Sequence, residues 1–322
     1  MGKGVVPLAV VIDDLGYNRE VSLGISRLPG EVTLAVLPGG PSSREVVRVG
    51  GRTGKELLLH QPMEPYGYPG VRPGPGALFL GMEEERIRQI LVANLVAFPE
   101  VVGVNNHMGS RFTSNGRAMD RVMGILKERG LFFLDSRTSQ SSVGRARATA
   151  AGVPWAVRQV FLDNVANEGA IGRQLTLLER EARHRGGAIG IGHPYRATLR
   201  SLERWLPGLR ERGLVLVPVS QLLRPESARA HYRGPGKARE EPVARAAVEP
   251  TAGDSGAGDD GGDQRWPEKG REGPVAGAAT APVEGGGGTG DDGGVVSGTD
   301  VPVTRLEGMP DNGEVSSDSG GS

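Results

Sequence analysis

Apolar runs that break off into carboxylate or imidazole side chains constrain this chain more than any other feature. Leu8-Ala-Val-Val-Ile12 is closed by Asp13-Asp14. The pattern recurs where Leu57-Leu58-Leu59 meets His60, Val104 meets Asn105-Asn106-His107, Leu134 meets Asp135, and Gly192 meets His193. Adjacent carboxylates at the end of a buried strand are costly unless they are paired, hydrogen-bonded or bound to a metal. In a parallel barrel the C-terminal ends of all strands point to one face, so these polar residues would share a rim. Two aspartates and three histidines gathered there have the makings of a metal site with acid–base partners.

The rest of the pattern agrees with that geometry. Strands are expected at residues 8–12, 32–37, 56–60, 101–105, 131–134, 157–162, 188–191 and 214–217. Most are continuously apolar, as in a parallel sheet covered on both faces. Helical periodicity lies between them. Glu83-Glu84-Glu85 puts negative charge at a helix start, followed by an apolar stripe of Ile87, Ile90, Leu91, Leu95 and Phe98. A second helix runs from Glu168 to Arg185 with Ile171, Leu175, Leu178 and Ala182 inward. Gly130, Gly186 and Gly213 precede strands as C-terminal glycine caps do. The expected fold is α/β: an irregular (β/α) barrel of about seven or eight parallel strands, with an open doubly wound sheet as the alternative.

The 322 residues divide unevenly. Residues 5–224 carry nearly all the aliphatic runs and form one expected catalytic domain. Residues 225–322 are rich in Gly, Pro, Ala and acids, and too poor in apolar surface to offset their ordering entropy, so a disordered tail is expected. The formal charge is zero, which gives no support to nucleic acid as a partner. No glycine-rich turn joins the first strand to its helix, which argues against a dinucleotide site. The absence of cysteine excludes disulfides, thiolate nucleophiles and thiolate zinc sites. No apolar stretch reaches the roughly 20 residues a bilayer span needs. Met1-Gly2-Lys3-Gly4 leads straight into the first strand, with no signal-peptide pattern.

Two long loops are expected to wall the active face: residues 61–80, rich in Pro, Gly and Tyr, and residues 136–153, rich in Ser, Thr and Arg. Tyr66 and Tyr68 either stack on a sugar ring or decorate a rigid crossover. The ligand pool is small. A zinc-type catalytic site needs three imidazole or carboxylate ligands and an open position. His184 sits at a helix end among arginines and His231 in the tail, which leaves His60, His107 and His193.

Five segments in order resemble the divergent polysaccharide deacetylases, relatives of the NodB-type carbohydrate esterases. They are Ile12-Asp13-Asp14-Leu15-Gly16, Leu59-His60-Gln61-Pro62-Met63-Glu64-Pro65, Asn105-Asn106-His107-Met108-Gly109-Ser110-Arg111, Phe133-Leu134-Asp135-Ser136-Arg137-Thr138 and Gly192-His193-Pro194. The resemblance spans about residues 5 to 224. It implies a distorted barrel and metal-dependent removal of N- or O-acetyl groups from a glycan. By the same resemblance Asp13 is the general base, Asp14 and His107 are metal ligands, and His193 is the general acid. NodB-type enzymes carry a further histidine four positions after the His107 equivalent. Here that position is Arg111, and His60 is expected to supply the missing ligand.

A divalent ion, zinc first, lowers the pKa of a bound water from about 15.7 toward 7. Asp13 would take its proton and His193 would protonate the leaving group. Asp135 and Arg137 are expected to pair and to orient His193, unless they form a structural salt bridge under the loop. Glu64, Tyr66, Asn106 and Asp163 are the candidates for contact with the glycan, although Glu64 fits a solvated loop position and Asp163 a helix cap equally well. The substrate class points to work outside the cytoplasm. Two other readings stay open: a glycan-binding module on the same fold with impaired catalysis, and a glycosidase drawing its two carboxylates from Asp13, Glu64 and Asp135.

Overall fold

The computed structural model describes residues 4–223. The expected tail, residues 225–322, and His231 within it lie outside the described residues. Nine parallel strands run β1 (Val6–Leu15), β2 (Thr33–Val36), β3 (Leu57–Met63), β4 (Gly103–Met108), β5 (Phe132–Asp135), β6 (Trp155–Val157), β7 (Val160–Phe161), β8 (Ala188–Gly192) and β9 (Leu214–Leu216). Seven helices connect them: α1 (Arg19–Ser26), α2 (Ser43–Arg52), α3 (Glu84–Ala97), α4 (Gly116–Arg129), α5 (Gly144–Ala151), α6 (Glu168–Arg185) and α7 (Arg196–Trp205). Local chemistry sets the helix ends. Asn18, Asn115 and Asn167 accept the first-turn N–H groups of α1, α4 and α6. Gly130 and Gly186 close α4 and α6 at φ 66° and 72°, a left-handed conformation that glycine adopts without penalty.

The strand order is β6-β5-β4-β3-β2-β1-β8-β7, a sheet curled into an irregular barrel. It stays open between β6 and β7. The run 157–162, expected as one strand, is in fact two: β6 pairs with β5 and β7 pairs with β8, and the chain turns at Arg158 and Gln159. Gln159 completes the turn by accepting the Ile189 N–H at 2.7 Å and donating to the Val157 carbonyl at 2.6 Å. β9 is not a regular stave either. Leu8 is in register with both Ala188 and Leu216, and Ile12 with both Gly192 and Leu34. β8 therefore takes one edge of β1, while β2 and β9 share the other.

Alternation along each strand sorts the core into two layers. Outward residues such as Leu8, Val10, Ile12, Leu34 and Leu59 meet the helices. Inward residues, including Ala9, Val11, Ala35, Leu58, Phe132, Leu134, Ile189 and Ile191, fill the barrel, and Val219 and Leu223 close its floor. Each fully buried Leu, Ile or Phe contributes roughly 1.5–3 kcal/mol. The same alternation carries Asp13, His60, Asn105 and His107 to the inside, one level above that apolar plug.

The interior has little slack. A Cβ on Gly103 would lie 2.7 Å from the Phe132 ring. Gly103→Ala is expected to cost about 1–3 kcal/mol, read as a lower urea midpoint with an unchanged slope. An unchanged midpoint would mean that Phe132 has room to move.

Candidate active site

Successive strand residues point to opposite faces, so Asp13 and Asp14 can face one cavity only if the strand is broken between them. It is broken there. The β1–β2 register shifts between Ile12 and Leu15, and Asp14 takes φ 56°. A bulge of this kind re-aims a side chain, and aspartate tolerates the left-handed region better than most residues. Met108 and Arg137, at the ends of β4 and β5, have φ 50° and 49°. A left-handed residue thus lies at or near the C-terminal end of each of three strands.

Asp14 meets two imidazoles there. Its Oδ1 lies 3.0 Å from His60 Nε2 and 2.7 Å from His107 Nδ1, and the two nitrogens are 3.2 Å apart. Bonds of about 2.0–2.1 Å at roughly 90–110° would separate neighbouring donor atoms by about 2.8–3.4 Å. The observed triangle falls in that range or just below it, so the residues fit a small divalent ion.

The charge balance points the same way. Asn105 Nδ2 donates to Asp13 Oδ1 at 2.7 Å and to Ser136 Oγ at 3.0 Å. Its oxygen therefore faces His60 Nδ1 at 2.9 Å, and that nitrogen carries a proton. His60 Nε2 is left facing a carboxylate oxygen, where a bare lone pair would be repelled. Burial opposes a charge on His60, but Asp13 and Asp14 outweigh it and raise its pKa. The cavity is built around one extra positive charge, a proton or an ion.

His193 stands across the same mouth, its Nε2 3.9 Å from Asp14 Oδ2. The other face of the ring is clamped. Nδ1 lies 2.8 Å from Asp163 Oδ1, while Asp163 Oδ2 accepts the His193 N–H at 2.5 Å and the Thr198 hydroxyl at 2.9 Å. A carboxylate in this position fixes the tautomer and leaves Nε2 directed at the cavity.

Residues 10–223 match the family model for divergent polysaccharide deacetylases. The chain belongs to that family. An uncharacterized protein of Escherichia coli K12, YibQ, is 37% identical over 216 residues, covering 67% of this chain and 67% of its own length. An uncharacterized protein of Haemophilus influenzae Rd is 35% identical over 219 residues, covering 68% of this chain and 77% of its own. The crystal structure of an uncharacterized protein from Agrobacterium tumefaciens C58 superposes with a TM-score of 0.66 at 34% identity, over 69% of this chain and 91% of that one. Membership points to a hydrolase kind of reaction.

In this polysaccharide deacetylase relative, several expected site residues do other work. The partner of His193 is Asp163, not the Asp135–Arg137 pair. Asp135 faces its own loop, where it accepts the Arg137 N–H at 2.8 Å and the Ser142 hydroxyl at 2.7 Å, and burial raises its pKa. Nor does Asp163 cap α6, a role taken by Asn167. Glu64 is buried, with one oxygen on the Leu80 N–H at 2.7 Å and the other on Arg111 at 2.7 Å. It braces the loop instead of offering itself to a ligand, and it draws Arg111 to its own carboxylate. Asn106 is spent likewise, on Met108, Thr138 and Ser136. Of the three carboxylates a glycosidase would draw on, Asp13 faces the donor cluster, while Glu64 and Asp135 are hydrogen-bonded to their own loops. Tyr66 is exposed on the rim, and its N–H donates to Ser110 Oγ at 3.0 Å.

Two residues escaped the sequence reading. Asn105 was hidden among polar neighbours, although its place two residues before His107 puts both on the inward face of β4. Arg158 left no signal, because it sits where one strand was expected and the sheet instead parts.

Glu64 supports a direct test. Removing its carboxylate strands the Leu80 N–H, at about 1–3 kcal/mol for a buried unsatisfied group. Glu64→Ala should lower the thermal midpoint, whereas Glu64→Gln, which keeps an acceptor, should recover most of the loss. Equal loss in both would assign the stability to the Arg111 ion pair.

Proposed function

We propose that this protein is a divalent-metal-dependent deacetylase acting on a glycan, with Asp14, His60 and His107 as the metal ligands and zinc as the first choice of ion. The observation that carries the reading is that these three donors share one mouth with Asp13 and with a carboxylate-clamped His193. Imidazole and carboxylate donors suit zinc and neighbouring divalent ions. When bound, such an ion acidifies a water and polarises the acetyl carbonyl.

The chain's own residues handle the protons. Asn105 holds Asp13 by Oδ1, which leaves Oδ2, 3.7 Å from His60 Nε2, to take the proton of the attacking water. Its burial beside the apolar plug keeps competing solvent away. His193, held by Asp163 with Nε2 toward the cavity, gives a proton from that nitrogen to the departing amine or alcohol. Each such transfer contributes typically 10²–10⁴-fold. His60 stands in for the histidine that Arg111 replaces in the motif, so the ligand count of three is met. Tyr66 on the rim is placed to pack on a sugar ring.

A metal titration run together with acetate release from acetylated chitooligosaccharides and peptidoglycan fragments tests this. Asp14→Ala, His60→Ala and His107→Ala should each lose the ion. Asp13→Asn should keep it and lose about 10²–10⁴ in turnover. Full ion occupancy in His60→Ala would remove that residue from the ligand set. Ion binding without acetate release across a broad panel would favour a glycan-binding module.

A further inference from the structure

Where β6 and β7 part, a groove of about 860 Å³ runs along the open side of the barrel. A smaller cleft of about 300 Å³, lined by Arg137, Ser139, Gln140, Arg158 and Gln159, shares four of those residues with it. The wall of the smaller cleft holds two guanidinium groups and no carboxylate.

The Arg158 side chain and the Arg137 backbone are set in place. Arg158 Nε donates to the Ser136 carbonyl at 2.7 Å and Nη2 to the Arg137 carbonyl at 3.0 Å, and the guanidinium carbon lies 5.1 Å from the centre of the Phe161 ring. Phe161 packs edge-on to His193 with centroids 5.3 Å apart, so one aromatic ring stands between the Arg158 guanidinium and the His193 imidazole. Arg137 is turned by its left-handed backbone, which Asp135 stabilises by accepting its N–H. Its side chain is exposed toward the cleft.

The acids along the larger groove are already engaged. Asp135 is held by Ser142 and by the Arg137 N–H, and Glu181 is paired with Arg185. Among the described residues, neither Arg137 nor Arg158 has a carboxylate ion-pair partner. Burial pushes the Arg158 pKa down, and Arg137 adds repulsion against the attraction of Asp13 and Asp135. The two guanidinium groups repel each other, Asp13 and Asp135 offset part of that repulsion, and the exposed planar fork of Arg137 matches a carboxylate or a phosphate beside the second positive charge.

We propose that this cleft receives an anionic group of the substrate, so that the glycan carries a carboxylate or phosphate on or beside the acetylated sugar. The proposal rests on the deacetylase reading for the glycan, but not for the anion. Binding and acetate release are measured side by side on the zinc-loaded full chain, with matched neutral, carboxylate-bearing and phosphate-bearing amino-sugar oligomers. At least one anionic oligomer should bind about tenfold tighter than the neutral one, and more so at low salt. The preferred anion identifies the source. In Arg137→Asn, which suits the left-handed backbone, the anionic-to-neutral ratio should fall about tenfold, to near unity. Equal affinities in the unmodified protein, a preference that survives Arg137→Asn, or no binding of any oligomer would each overturn the proposal. Anion preference without acetate release would count against the deacetylase alone, and acetate release without anion preference against the cleft alone.

Discussion

The Asn105 amide holds the active mouth together. Its two donors reach Asp13 and Ser136, and its oxygen accepts the His60 Nδ1–H, so one side chain ties β1, β3, β4 and the end of β5. All three partners are buried, as is Asn105 itself. Each buried polar group left unmet would cost about 1–3 kcal/mol, and in a low-dielectric interior a half-satisfied network is worse than an apolar one. Both donors and the acceptor of the Asn105 amide are used, and that assignment leaves His60 Nε2 facing Asp14. Positive charge is drawn to that spot by the fold itself.

The bulge at Asp14 and the level of the apolar plug complete the arrangement. Without the register shift, Asp14 would turn toward the helices and the donor triangle would lose its carboxylate. Ala9, Val11, Leu58 and Leu134 fill the barrel just below the polar layer and close it to water from beneath. The unclosed seam between β6 and β7 brings Arg158 and Arg137 to one cleft, with Phe161 between Arg158 and His193.

Much of this was legible in the residues. Continuous apolar runs marked the strands because both sheet faces are covered, and α6 runs from Glu168 to Arg185 as its periodicity and its closing glycine required. The gathering of Asp13, Asp14, His60, His107 and His193 followed from parallel strands sharing a polar end. What stayed hidden depended on contacts across the fold. Asp135 and Asp163 both follow apolar strands, and nothing local tells which one meets His193. That choice is made by β7 lying beside β8, with Asp135 two strands away from β3 on the far side of the seam. The split of residues 157–162 was equally invisible, since a continuous strand and two short ones with a turn at Arg158 share one apolar pattern. Glu64 looked available in the sequence because its partners, Leu80 and Arg111, come from elsewhere in the chain.

The central claim is that three side chains from three strands form one cation site. An anomalous difference map from crystals soaked in zinc, recorded on both sides of the zinc edge, tests it most directly. The account predicts a single strong peak about 2.0–2.2 Å from Asp14 Oδ1, His60 Nε2 and His107 Nδ1. A peak bound elsewhere, or none at this mouth under saturating zinc, would contradict it.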